Sequence, residues 1–377
     1  MDEMKAFYHD SITKERIKRI DLTKEYICGM DPVTAKDLDD ALSINDLGNG
    51  IYEIGVHIED VSHLSFLIVK TTSVYLVHKV IPMLPRILCE ELCSLNKDVE
   101  RLAFFVFFRL KSEGEVLWDS FTGATSVIKS CAQLSYEIVN QIIEGEIQYC
   151  QGFDENVLKD KILLLNTIAQ KKRTKRLEGS ITLQKSKQRF ILNSDLYPIG
   201  YVEEKRGLAQ FMVEEWMLLA NQFVDKKLIE YDTKTAILRQ HKPPKAEKIE
   251  YYRNLLKAFG LKEMAENLDV STSTLKMIYI NILFSCKSLK LTMAKVNDIQ
   301  SEEIKLILEF RLLKLMEAAQ YFVVDDIPEL EGRHYALDFD VYSHFTSPIR
   351  RYPDILVLSK VIYQIYMFLT QKIINCS

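Results

Sequence analysis

No run of about 18 apolar residues, the minimum for a membrane-spanning helix, occurs in this 377-residue chain. The apolar tail from Ile355 is interrupted by Lys360, Gln364 and Gln371, so it too is not read as a membrane span. Glycine is scarce, at 13 residues, and neither a repeat nor a low-complexity tract is present, which removes repeat and fibrous architectures. There is no excess of positive charge: the net charge is −4 and the pI about 6.1, which excludes a globally basic nucleic-acid coat. Any nucleic acid would have to be held in a local groove. A disulfide framework is missing as well. The seven cysteines, Cys28, Cys89, Cys93, Cys131, Cys150, Cys286 and Cys376, are odd in number and scattered, with no signal peptide before them. That pattern suits a reducing cytosolic or nuclear setting. Cys89 and Cys93 follow His78, but no second ligand pair stands at zinc-site spacing.

What is present is enough apolar sequence, 47%, for a large core in one large domain or two ordinary ones. Alternation of Tyr52, Ile54, Val56 and Ile58 with Glu53, Gly55, His57 and Glu59 predicts a half-buried strand after a Gly48-Asn49-Gly50 turn. Further strands are expected at Leu102–Leu110 and Thr125–Ser130. Ser135 is a predicted cap for a helix starting at Tyr136, with Glu137 in its first turn. Three- and four-residue apolar spacing predicts helices over Phe211–Lys227 and Glu302–Val323, and Pro243-Pro244 marks a break. Strands early and helices late imply a mixed α/β domain. The run Lys171-Lys172-Arg173-Thr174-Lys175-Arg176 reads either as a solvated helix face or as a lining for an RNA path.

The densest chemistry lies in Met30-Asp31-Pro32-Val33-Thr34-Ala35-Lys36-Asp37-Leu38-Asp39-Asp40-Ala41. Carboxylates this close repel each other, and a fold that keeps them together calls for cations, with Mg²⁺ or Mn²⁺ the natural occupants. An ordinary solvated acidic loop is the competing reading. An EF-hand loop is excluded, because Ala41, Leu42 and Gly48 fall where ligands or the required glycine should be.

Further blocks follow: His57-Ile58-Glu59-Asp60-Val61-Ser62-His63, Thr72-Ser73-Val74-Tyr75-Leu76, Ile81-Pro82-Met83-Leu84-Pro85 and Leu92-Cys93-Ser94-Leu95-Asn96. After them come Ser130-Cys131 with Leu134-Ser135-Tyr136-Glu137, Val213-Glu214-Glu215 with Leu218-Leu219-Ala220-Asn221, and His344-Phe345-Thr346-Ser347-Pro348-Ile349-Arg350-Arg351-Tyr352. In this order, over residues 20–356, they resemble the ribonuclease II/ribonuclease R (RNB) family. The Cys28-Gly29-Met30-Asp31-Pro32 and Arg239-Gln240-His241-Lys242-Pro243-Pro244 stretches look most like its eukaryotic Dis-three-like exonuclease 2 branch.

The resemblance implies a single large α/β catalytic domain with a deep RNA channel. It implies a magnesium-dependent, possible manganese-dependent, two-metal 3′-to-5′ exoribonuclease that releases nucleoside 5′-monophosphates from single-stranded RNA with a free 3′ end. It further implies a monomer, in the cytoplasm or in P-bodies, with a preference for uridylated RNA. Asp31, Asp37, Asp39 and Asp40 become the expected metal ligands, with Asp39, Asp40 and Arg350 as catalytic residues. Tyr75, Tyr136, Glu214, Glu215 and Arg351 become expected RNA contacts, with Glu214 and Glu215 not separable. Residues 1–25 read as the remnant of an upstream OB or cold-shock region, 26–356 as the catalytic domain and 357–377 as a divergent tail. Three departures stand out. Glu59 replaces a usual alanine, the segment between His63 and Thr71 is short, and Leu358-Ser359 replace the family's His-Arg. Since OB domains and a family glutamate are also missing, the chain reads as a fragment or incomplete gene model. The alternative expectation is a catalytically impaired, RNA-binding remnant of such an enzyme.

Overall fold

The computed structural model describes residues 2–64, 70–146, 155–181, 187–266, 268, 286–326 and 332–376. Chain contacts divide it into two compact units. One comprises Met1–Arg173, Ser186–Ala236 and His344–Ser377, and the other Thr174–Lys185 and Ile237–Ser343.

The first unit is built on a seven-stranded mixed sheet. Its strands are β1 (Ile20–Leu22), β2 (Cys28–Asp31), β3 (Asp40–Asp46), β4 (Ile51–Glu59), β7 (Glu100–Lys111), β8 (Val116–Lys129) and β9 (Ala132–Ser135), in the order β1-β8-β7-β4-β3-β2-β9. Between β4 and β7 the short strands β5 (Val74–Tyr75) and β6 (Val80–Ile81) form a separate ribbon. The turn before β4 is as expected, with Gly48, Asn49 and Gly50 all at positive φ. β4 itself differs from expectation: it is buried on both faces from Ile54 to Glu59. The polar-looking face is covered because Gly55 leaves room for Phe107 and for the Ser43–His57 pair, which hydrogen-bonds at 2.9 Å. A Cβ at Gly55 would lie 2.2 Å from Ser43 Oγ. Glu59 is buried too, beside Cys93, and burial pushes its carboxyl well above the usual range.

Helix α1 (Asp2–Glu15) buries Tyr8 and Ile12 against Leu102 of β7 and Val127 of β8. Residues 1–25 thus supply both a packed helix and the sheet's edge strand β1. Ser135 caps α2 (Tyr136–Glu144), accepting from Ile138 N at 3.3 Å. Helix α3 (Glu155–Gly179) carries the basic run, and α4 (Leu208–Tyr231) contains the predicted Phe211–Lys227 segment. Hairpin β10 (Lys187–Leu192) and β11 (Pro198–Glu204) leads into α4. A last helix, Tyr352–Cys376, runs without a break through position 357, and its Leu358 is fully buried.

The second unit has its own core of Ile249, Tyr252, Leu256, Leu289, Leu308 and Leu312. The helix expected over Glu302–Val323 stops at Leu313. Its continuation Gln320–Val323 is strand β13, paired antiparallel with β12 (Ile237–Gln240). Apolar spacing alone ran the two elements together. The Tyr321-Phe322-Val323 cluster, rich in strand formers, marks the change.

Candidate active site

The acidic loop joins β2 to β3, so backbone pairing fixes both of its ends. Asp31 closes β2 opposite Ser135 of β9, which brings it next to Tyr136, the first residue of α2. Asp40 opens β3 opposite Ile58. Between them, buried Leu38 anchors the loop. Its N–H donates to Ser94 Oγ at 3.0 Å, its carbonyl accepts from Leu95 N at 3.1 Å, and Ser94 Oγ donates to Lys36 O at 3.0 Å. Sequence reasoning gave Ser94 no role. Its only signal was membership of a block that resembles the family.

The segment Thr346-Ser347-Pro348-Ile349-Arg350 meets this loop directly. Ile349 N donates to Asp39 Oδ1 at 2.8 Å and Arg350 Nε to Asp39 Oδ2 at 3.2 Å. Arg350 Nη2 also donates to Ser347 Oγ at 2.7 Å, and buried Asp354 accepts from Ser347 N at 2.8 Å. The Arg350 carbonyl accepts from both Ser73 N and Thr72 Oγ1 at 3.0 Å. Those bonds stitch the Tyr75 strand to the arginine segment. Tyr75 OH donates to Asp37 Oδ2 at 3.1 Å while its ring stays 55% exposed. Thus the structure brings Asp31, Asp37, Asp39, Asp40, Arg350, Tyr75 and Tyr136 together.

The expected contact Arg351 is differently engaged: Nη2 donates to Asp354 Oδ1 at 2.7 Å. Glu214 and Glu215, inseparable in sequence, are separated by environment. Glu215 is fully buried, 3.7 Å from Lys172 Nζ and 3.4 Å from Arg173 Nη1. Glu214 is partly exposed and pairs with Arg206 and, at 3.4 Å, with Arg173. The basic run is therefore neither a free solvated face nor an open lining at these positions. Lys171 pairs with Glu113 at 3.0 Å, and Lys172 and Arg173 turn inward to the glutamates. No sequence period separates such inward cations from solvated ones.

Electrostatically the aspartates are under-compensated. Burial, then Asp40, Asp39 and Asp37, push Asp31 up, against the pull of Arg350. Burial raises Asp40 as well, opposed by Arg350 and Arg351. Asp39 is pushed up to about 7 by burial, although Arg350 and the Ile349 N–H pull it down. Burial followed by Asp37 raises the Tyr75 phenol, and burial followed by Asp40 and Asp31 raises that of Tyr136. Asp31 Oδ2 is buried with no hydrogen-bond partner. An orphaned oxygen among hard donors that disfavour ionisation fits a divalent cation of the magnesium type. As they stand, no three His, Cys, Asp or Glu side chains among the described residues are grouped to hold one ion. Asp39 and Asp37 would exchange their present partners on binding one.

The RNB domain family matches residues 19–370, continuing past the motifs that end at Tyr352. A DIS3-like exonuclease 2 from Schizosaccharomyces pombe is 36% identical over 371 residues, covering 93% of this chain and 37% of the relative. An Arabidopsis thaliana relative described as an inactive exonuclease is 32% identical, covering 90% of this chain and 32% of its own length. The chain thus spans about a third of the length of these relatives. Among solved structures, Mycoplasma genitalium RNase R in complex with ribose-methylated single-stranded RNA superposes with a TM-score of 0.78 at 22% identity. That match covers 96% of this chain and 54% of that one, and it carries the fold. With the family matching nearly the whole chain and the acidic loop meeting the arginine segment in one place, this chain belongs to the RNB family.

Proposed function

We propose that the chain is the catalytic part of a metal-dependent 3′-to-5′ exoribonuclease acting on single-stranded RNA. The observation that carries this reading is the meeting of Asp39 and Arg350, 3.2 Å apart, beside the orphaned Asp31 oxygen. Asp31, Asp37, Asp39 and Asp40 would hold divalent cations, which in such a site activate water and stabilise the leaving 3′ oxygen. Arg350 has a planar, permanently charged head suited to two oxygens of the scissile phosphate. Burial works against that charge, while Asp39, Tyr75 and Asp40 sustain it. Tyr75 offers an exposed ring for stacking a base without reading its identity. Tyr136, beside Asp31 and Asp40, meets the 3′ end, and the 2′-hydroxyl there separates RNA from DNA. Glu214, the accessible member of its pair, contacts the terminal nucleotide, while Glu215 holds Lys172 and Arg173 in the core. Preference for uridine tails and a place in cytoplasmic RNA decay follow from the exonuclease 2 branch.

A second reading, an impaired RNA-binding remnant, is favoured by one observation: both Asp39 oxygens are already engaged. One experiment separates the two. Metal-dependent stepwise release of uridine 5′-monophosphate from a 3′-labelled oligouridine supports the enzyme. Binding of the oligomer without release at saturating Mg²⁺ and Mn²⁺ supports the remnant. Equal rates on DNA and RNA, or cutting of circular RNA, would overturn the exoribonuclease reading.

A further inference from the structure

A guanidinium outside the motifs of the resemblance stands beside the Tyr136 side of this site. Arg206 lies at the foot of hairpin β10–β11, next to Gly207, the residue that caps α4. Its position is built rather than incidental. Asn140 of α2 donates from Nδ2 to Gln210 Oε1 at 3.4 Å and accepts from Ala209 N at 2.8 Å. The Asn140 amide fills the space a side chain at 207 would need: a Cβ there would lie 2.4 Å from Nδ2. The middle of α2, one turn on from Tyr136, and the start of α4 are thereby clamped together. The charge of Arg206 reaches the Tyr136 phenol. Burial, Asp40 and Asp31 raise that phenol's pKa, and Arg350 and Arg206 are the two cations that lower it.

The guanidinium itself is seated but not saturated. It lies 4.9 Å above the Phe211 ring, which also carries Arg173 at 3.9 Å. Nη2 donates to Glu214 Oε2 and, at 3.5 Å, to Gln210 O. Among the described residues Nε and Nη1 have no acceptor, and the side chain is 46% exposed. Arg173 is different: it is 8% exposed and held by Glu214 and Glu215. Of two arginines on one aromatic ring, one is structural and one presents an open edge. A planar fork with one edge on a carboxylate and the other facing water suits a phosphate oxygen pair.

We propose that Arg206 binds an RNA backbone phosphate near the 3′ end, with Glu214 as the counter-ion that holds its guanidinium in place when RNA is absent. The inference rests on the RNA-degrading reading above and adds to it a second arginine, one that stands outside the motif blocks in sequence and pairs with Glu214. Phe211 keeps the head flat and Gly207 keeps it close. Because a phosphate contact releases counter-ions, its loss has a signature that loss of packing lacks: a shallower dependence of affinity on salt.

The test uses the full 377-residue chain and a fluorescently labelled oligouridine, with chelator present so that no cleavage occurs. Affinity is measured by anisotropy across a salt series for wild type, Arg206→Met, Arg206→Lys and Glu214→Gln. Arg206→Met should weaken binding about tenfold at low salt and reduce the magnitude of the log–log salt slope by about 0.7, the value for one phosphate on a single strand. Arg206→Lys should restore the slope. Glu214→Gln should leave the slope unchanged whatever it does to the affinity, because the terminal-nucleotide contact it alters is not made to a phosphate. An unchanged slope in Arg206→Met, or an equal loss of slope in Glu214→Gln, overturns the inference and leaves Arg206 as a support for Glu214. Failure of the wild-type chain to bind oligouridine at all overturns the RNA-degrading reading, and this inference with it.

Discussion

Two groups of carboxylates lie inside the same unit and are treated in opposite ways. Glu214 and Glu215 on α4 are met by Lys172, Arg173 and Arg206, so the fold supplies its own cations there. Asp31, Asp37, Asp39 and Asp40 share one arginine salt bridge and leave a buried oxygen without a partner. Around Glu215 the first group is a finished ion-pair network, and removing that buried carboxylate breaks structure. The second is unfinished, and its missing charge has to come from solution. Buried charge by itself therefore does not mark a site; buried charge whose compensation is absent does.

The sharpest way to break this comparison is Asp39→Asn. The shape is kept and one charge is lost, so hydrolysis of oligouridine at saturating Mg²⁺ should fall by several orders of magnitude. Affinity should change little, since it comes mainly from phosphate and stacking contacts. Near-normal turnover would return the loop to an ordinary acidic surface. Arg350→Ala should follow with a loss of about 10²–10³-fold in turnover, as for one electrostatic stabiliser. Turnover within twofold of wild type would separate the arginine from the chemistry.

Glu215→Ala tests the finished network, and here stability is the readout. Taking away the fully buried carboxylate beside Lys172 and Arg173 should cost about 3–5 kcal/mol in urea unfolding. Glu214→Gln, at a partly exposed pair, should cost less than about 1 kcal/mol. Equal costs would erase the distinction between the two glutamates.

Acidity offers a finer test. Burial lifts Asp39 to about 7, against about 3.9 in an unfolded chain. Between these values the native state holds a proton that the unfolded state has lost. Stability contributed by this group is therefore present below about pH 4 and lost as pH rises through about 7. In chelator, the melting temperature of Asp39→Asn should gain on wild type across that window, and added Mg²⁺ should close the gap. A difference independent of pH would argue that Asp39 is ionised and satisfied without metal. Tyr75→Ala should weaken oligouridine binding by about 1–3 kcal/mol and change the final product length. It should leave the metal-dependent step intact. Unchanged affinity would reduce the ring to a partner for Asp37.

Much of this was legible from residue order. Close aspartates, a helix capped at Ser135 and an Asn-Gly turn are local signals, and local signals survive without coordinates. The strand and helix periods around Ile54 and Val213 worked for the same reason. What was not legible depends on distant partners. Nothing near Glu214 or Glu215 in sequence says which of them meets Lys172. The covering of β4 depends on Phe107, half a hundred residues away. Asn140 and Gly207 meet only because the middle of α2 packs on the start of α4, and Ser94 gains its role only by reaching Leu38. Period also failed where two elements share apolar spacing, as at Leu313 and Gln320.

The carbonyl of Arg350 takes hydrogen bonds from both Thr72 Oγ1 and Ser73 N. Two residues further on stands the Tyr75 ring. The guanidinium that would face the scissile phosphate and the ring that would stack a base thus hang from two stretches of backbone that these bonds tie together, like two marks on a ruler. On the proposed reading, how many nucleotides remain when degradation stops is a length written in the hydrogen bonds to one carbonyl. Side-chain substitutions would blunt the marks, but only a change that frees the Arg350 carbonyl would alter the distance between them.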